Sequence, residues 1–98
     1  MERIYNFKYN NKRLEVRFGY NEDLNWLFGE EFEYDSMGNR TDVILYVYDI
    51  SNNMEEPTQE QLNAMGIENV HDMNWNFNIS DDFIRENIKN ISRYKNII

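Results

Sequence analysis

The run Val43-Ile44-Leu45-Tyr46-Val47-Tyr48, bounded by Asp42 and Asp49, limits the possible folds more than any other feature of the chain. Six consecutive β-branched, aromatic or aliphatic residues suit an extended strand. A strand that is apolar on both sides needs cover on both faces, which predicts a buried, central place in a sheet. The rest of that sheet is legible nearby. Tyr5, Phe7 and Tyr9 alternate with Asn6 and Lys8. After Asn10-Asn11, Leu14, Val16, Phe18 and Tyr20 alternate with Arg13, Glu15 and Arg17. Asparagine tolerates the left-handed conformation that a two-residue turn requires, so residues 3–19 predict a hairpin with a basic outer face. Phe32 and Tyr34 alternate with Glu31 and Glu33, with the aromatics expected inward, and Asp35 to Asn39 is turn chemistry. A second hairpin with residues 42–50 is therefore expected.

Other segments carry helical signals. Asn21 is a candidate N-cap before Glu22 and Asp23, and Leu24, Leu27 and Phe28 recur at helical spacing up to Gly29. Thr58 and Gln61 fit a capping box, with Leu62 and Met65 behind it and Gly66 as its stop. Met73, Trp75, Phe77 and Ile79 alternate with Asn74, Asn76 and Asn78, as in a strand. Ser80 then precedes a stripe of Ile84, Ile88 and Ile91 that predicts a helix running to about Tyr94 or Lys95. Arg85, Lys89 and Arg93 would form a second, basic stripe on it. The expected fold is α+β. It has an antiparallel sheet of about five strands (two hairpins plus one strand), a C-terminal amphipathic helix packed on one face and two short helices. The 98 residues suffice for a single domain spanning 1–98.

Several kinds of chemistry lack the residues they need. There is no cysteine and one histidine, His71, so thiolate metal sites and two-histidine sites are excluded within one chain. His71-Asp72 resembles the dipeptide of metal-dependent phosphohydrolases, but the further histidines of such a site are missing. A calcium loop starting at Asp35 would put Tyr46 where a bidentate glutamate is required. Adjacent carboxylates such as Glu22/Asp23, Glu55/Glu56 and Asp81/Asp82 do not point at one centre. No nucleophile is paired with a base and there is no glycine-rich phosphate loop. A non-catalytic protein without cofactor or metal is expected. With no apolar run of membrane-spanning length and no targeting segment at Met1 to Asn6, the cytoplasm is the expected compartment.

Charge supplies the remaining signal. The formal net charge is -8, but residues 1–20 carry +3, residues 21–82 carry -14 and residues 83–98 carry +3. Either the basic ends fold against the acidic middle, or the acids form a face that a cationic partner covers. The overall sign disfavours direct nucleic-acid binding. The carboxylates expected on such a face are Glu30, Glu31, Glu33, Asp35, Glu55 and Glu56, which flank turns and strand ends. Trp26, if exposed among Asp23 and Glu30, would supply an aromatic anchor. Sixteen asparagines fit the codon bias of an AT-rich genome.

In size, acidity and absence of catalytic groups the chain resembles, as a class, DNA-mimic anti-restriction and anti-CRISPR proteins of phages and mobile elements. That resemblance implies an inhibitor occupying the basic, nucleic-acid-binding site of a larger protein, such as a nuclease, and acting as a monomer or weak homodimer. An immunity protein that neutralises a basic toxin, or a structural domain with an acidic surface, fits the same composition.

Overall fold

In a computed structural model the described residues are 3–34 and 37–98, and the side chains of residues 12, 34 and 40–45 lie outside the description. Strands β1 (Tyr5–Tyr9), β2 (Lys12–Asn21), β3 (Trp26–Tyr34), β4 (Arg40–Asp49) and β5 (Met54–Glu55) form one antiparallel sheet in sequence order. Helices α1 (Gln59–Ala64) and α2 (Asp81–Ile88) follow it. The fold class is α+β.

Asparagine makes the tight turns possible. Asn10 and Asn11 both have positive φ, 51° and 62°, so Tyr9 pairs with Lys12 across a two-residue turn. Asn25 (φ 56°) and Asn53 (φ 48°) serve the β2–β3 and β4–β5 turns. Asn21 does act as a cap, its Oδ1 accepting from the Leu24 amide at 2.9 Å, but for a single turn. The helix expected at 21–28 is instead the β2–β3 turn and the start of β3, with Trp26 paired to Asn21. Leu27 and Phe28 enter different buried clusters, as neighbours in a strand must.

The sheet is covered on both faces. One cluster combines Tyr5, Phe7, Leu14, Val16, Phe18, Leu27, Tyr46 and Tyr48 with Ile84, Ile88, Ile91 and Tyr94. The other builds on Trp26, Phe28 and Val47, against which Leu24, Leu62, Ile67, Val70, Met73, Trp75 and Phe77 pack. Trp75 lies on Phe28 at 4.5 Å between ring centroids. The expected core residues Val43, Ile44 and Leu45 lie outside the described side chains.

Three further expectations are corrected. Residues 73–79 join the sheet through a single bridge, Tyr20 to Asn76, because their aromatic side chains pack onto the sheet face rather than extending it. The fifth strand is Met54–Glu55 instead. The run Val43–Tyr48 is not central, since only the short β5 lies beyond it. Finally, α2 ends at Ile88 rather than near Tyr94. Ser80 caps it as expected, accepting from the Phe83 amide at 3.1 Å. Past Ile88 the chain leaves the helix, turns extended at Ile91 and makes a 3-10 turn at Ser92–Tyr94. Ile91 and Tyr94 are both buried by this path, at 0% and 1% exposure. The last residues then run beside β1, with Lys8 N–H donating to Asn96 O and Ile98 N–H to Asn6 O.

Ile88 is buried in the first cluster. Ile88→Ala should therefore destabilise the fold by about 2–5 kcal/mol, the range for deleting a buried aliphatic side chain. Thermal unfolding measures it, and an unchanged melting temperature would contradict this packing.

Candidate partner-binding surface

Alternation along β3 sends Glu30 and Glu31 to opposite faces, so the expected carboxylates do not form one surface. Glu30 is bound by Arg17 at 2.9 Å, and the Arg17 guanidinium lies 4.0 Å from the Phe77 ring centre. Glu31, expected at the surface, is fully buried at 0% exposure. Arg93 grips it with two bonds, Nε to Oε2 at 2.9 Å and Nη2 to Oε1 at 2.6 Å, and the Tyr94 hydroxyl donates to Oε2 at 2.5 Å. The Arg93 guanidinium also sits about 5 Å from the rings of Tyr9 and Tyr46, within cation–π range. A buried carboxylate is tolerable only with this degree of pairing.

Glu55 holds the neighbouring residue. Its Oε1 accepts from the Ser92 amide at 2.7 Å and from the Ser92 hydroxyl at 3.3 Å. Glu31 and Glu55 together thus fasten the segment 92–94, and part of the acidic middle neutralises a basic end internally. Arg93 turns inward to do this, so it shares no exposed stripe with Arg85 and Lys89. Glu33 is half-buried, Glu56 is exposed, and Asp35 lies outside the described residues. Trp26 is 2% exposed, a core residue rather than a surface anchor.

Other carboxylates take the surface position. Glu22, Asp23, Glu56, Glu60, Glu68 and Asp72 are exposed, and among the described residues none of them makes an ion pair. The segments bearing most of them are tied together. Leu24, in the turn after Asp23, packs in the same cluster as Leu62, Ile67 and Val70. Asn21 Nδ2 donates to Asn74 O at 3.2 Å. The β2–β3 turn also meets the β4–β5 turn through Asn25 and Ser51 at 2.9 Å. The sequence pattern accounts for Glu22 and Asp23 by a helix N-terminus. The signal for the others is the apolar spacing of Leu62, Ile67, Val70 and Met73, which docks their segment on the sheet.

The cations collect elsewhere. Arg3 donates to Ile79 O at 2.9 Å, Arg13 to Asn6 Oδ1, and the C-terminal residues lie along β1. A groove of about 450 Å³ between α2 and this tail is lined by Arg85, Ile88, Lys89, Tyr94, Lys95 and Ile97. Arg85 is partnered by Asp81 at 2.7 Å and Lys89 by Glu86 at 3.0 Å.

Burial and the nearby Glu31 carboxylate push the Tyr94 phenol well above its usual 10.0, and burial with Glu55 and Glu56 raises Tyr46. A phenol whose folded pKa is raised stabilises the native state fully below the unfolded value, and that contribution is lost as pH rises through the folded value. Tyrosinate absorbance should thus rise in two stages above about pH 10, the later one coinciding with loss of near-ultraviolet circular dichroism. A single stage with the fold intact would contradict these environments.

Among the described residues no group of three or more His, Asp or Glu could hold a metal ion, and no helix is long and apolar enough to cross a membrane. Compared with known proteins, the chain matches no family profile, no curated protein and no solved structure.

Proposed function

We propose that this chain is a small non-catalytic inhibitor that lays its acidic surface over a basic, nucleic-acid-binding site of a larger protein. The observation that carries this reading is the set of exposed carboxylates Glu22, Asp23, Glu56, Glu60, Glu68 and Asp72, which make no ion pair among the described residues and which, Glu56 apart, lie on segments joined by one apolar cluster. Duplex DNA carries one charge per roughly 1.7 Å of axis, and a site shaped for it is lined with cations that such a face can meet. Association of this kind is fast and weakens steeply as salt rises.

The test is displacement of a labelled duplex from a panel of DNA-binding nucleases, repeated across a salt series. Reversing Glu60, Glu68 and Asp72 to lysine should weaken displacement at least about tenfold, or 1.4 kcal/mol. The fold should survive, because exposed substitutions typically change stability by within about 0.5 kcal/mol. Reversing Glu31 would not be a fair test, since it would unseat Arg93. If Arg85→Glu/Lys89→Glu abolishes displacement and the acidic variant does not, the working surface is the groove beside α2 and the proposal is wrong.

A further inference from the structure

The groove between α2 and the C-terminal tail does not end at Ile97. A second hollow of about 310 Å³, bordered by Ile4, Tyr5, Asp81 and Ile98, shares Arg85 and Ile97 with it. The two make one trough, which follows α2 from Asp81 to Lys89, just over two helical turns or about 12 Å. Ile88 and Tyr94, both buried, line it from the core side. Among the described residues five large apolar side chains are exposed, and three of them, Ile4, Ile97 and Ile98, border this trough. Exposed apolar side chains gathered in one place mark a binding surface, whereas scattered ones need no explanation.

The cations along the trough are incompletely engaged. Arg85 donates to Asp81 through Nε, and among the described residues its two terminal nitrogens donate to nothing. Lys89 pairs with Glu86 alone, and both side chains are well exposed. Lys95 makes no ion pair among the described residues. Exposed pairs contribute little, so Arg85 and Lys89 can turn to a better acceptor. Asp81 does not compete with an incoming anion for them all, because it is already held by Arg85 and the Tyr5 hydroxyl. The larger hollow offers no free acceptor of its own: its charged side chains are cations, and the Tyr94 hydroxyl is committed to Glu31. A peptide laid there would leave amide N–H groups unpaired against apolar walls, whereas an alkyl chain has none to satisfy.

We propose that this trough binds an amphiphilic anion, a free long-chain carboxylate. Its alkyl body lies over Ile88, Ile97 and Ile4, and its head meets Lys89, Lys95 and the terminal nitrogens of Arg85. The site lies on the sheet face of Ile84 and Ile88, opposite the face on which Leu62, Ile67 and Val70 dock, and it is independent of the acidic surface.

Titration of the full chain with octanoate, decanoate and dodecanoate, each below its micelle concentration, tests this by calorimetry and by nuclear magnetic resonance of the amides. Binding should saturate at one ligand per chain. Affinity should rise by up to about fourfold for each added methylene, the value of one such group removed from water. The amides of Lys89, Lys95 and Ile97 should shift while those of Glu60 and Glu68 stay in place. Decyltrimethylammonium, with a cationic head, should leave the Ile97 amide unmoved. Lys95→Glu should weaken decanoate at least about threefold and Ile97→Asp at least about tenfold. Both residues are exposed, so the far-ultraviolet circular dichroism of both variants should be unchanged. If Ile97→Asp disturbs the pairing of the tail with β1, Lys95→Glu and the chain-length series decide. Absence of saturable binding, equal affinity for octanoate and dodecanoate, or a Lys95→Glu variant that binds decanoate as well as the wild type overturns the proposal. Binding to vesicles of phosphatidylglycerol without binding of free decanoate also overturns it, and assigns the face to a membrane surface.

Discussion

Arg93→Ala should destabilise the protein by about 3–5 kcal/mol, the cost of stranding one member of a buried ion pair. The reason lies with Glu31 rather than with the arginine. Glu31 is 0% exposed, whereas the Arg93 side chain keeps 21% of its surface. Removing the guanidinium takes both bonds from Oε1 and Oε2 and leaves the carboxylate with the Tyr94 hydroxyl. It also empties the space beside the rings of Tyr9 and Tyr46. Against a total stability of about 5–15 kcal/mol for an ordinary domain, a loss of this size brings the chain close to unfolding.

The attribution can be tested with a replacement that removes every polar member at once. Glu31→Leu/Arg93→Met/Tyr94→Phe leaves this cluster without a buried charge and without an unpaired hydroxyl. Apolar replacement of a whole buried pair is often neutral or stabilising, so the triple variant should be more stable than Arg93→Ala alone. Denaturant unfolding of the two proteins decides it. Should the triple variant be the less stable, the net attraction within the cluster exceeds its desolvation cost and the argument from Glu31 fails.

The burial of Glu31 is not legible in its neighbourhood. Its local sequence, Glu30-Glu31-Phe32-Glu33, reads as an alternating strand with acids outward. Its burial is caused by Arg93 and Tyr94, more than sixty residues away, and no local pattern encodes that. Signals whose partners are local were legible. Thr58 with Gln61, Ser80 with Phe83, and the Asn10-Asn11 turn all appear where their spelling puts them. The helical reading of 21–28 failed for a different reason. A strand covered on both faces loses its alternation, and Leu24, Leu27 and Phe28 then mimic helical spacing. Of the carboxylates expected on an acidic face, Glu30, Glu31 and Glu55 are engaged within the fold, by Arg17, Arg93 and Ser92. Which acids stay exposed depends on which ones the basic termini reach, and only the folded chain decides that.

Gly29→Ala should also be strongly destabilising, although the usual expectation has the opposite sign. Glycine within a strand is ordinarily worse than alanine by roughly 0.5–1 kcal/mol, and Gly29 has no left-handed φ to defend. What forbids a side chain is the approach of Tyr94. A Cβ at position 29 would collide with the Tyr94 hydroxyl, lie 3.2 Å from its ring carbon Cζ and 3.4 Å from Val16 Cγ1. Tyr94 cannot swing aside cheaply. It is 1% exposed, its ring packs against Phe7, Phe18 and Tyr46, and its hydroxyl is committed to Glu31. Overpacking costs about 1–3 kcal/mol and a lost hydrogen bond to a charged group about 1.5–3, so a net loss of roughly 2–5 kcal/mol is expected. Because the clash is with the hydroxyl, Gly29→Ala should cost much less in a Tyr94→Phe background than in the wild type. The closest ring contact would then be tight but tolerable. A double-mutant cycle by denaturant unfolding should therefore return a coupling of at least about 1 kcal/mol. Simple additivity of the two substitutions would mean that the phenol of Tyr94 does not lie over Gly29, and that Glu31 is held by Arg93 without it.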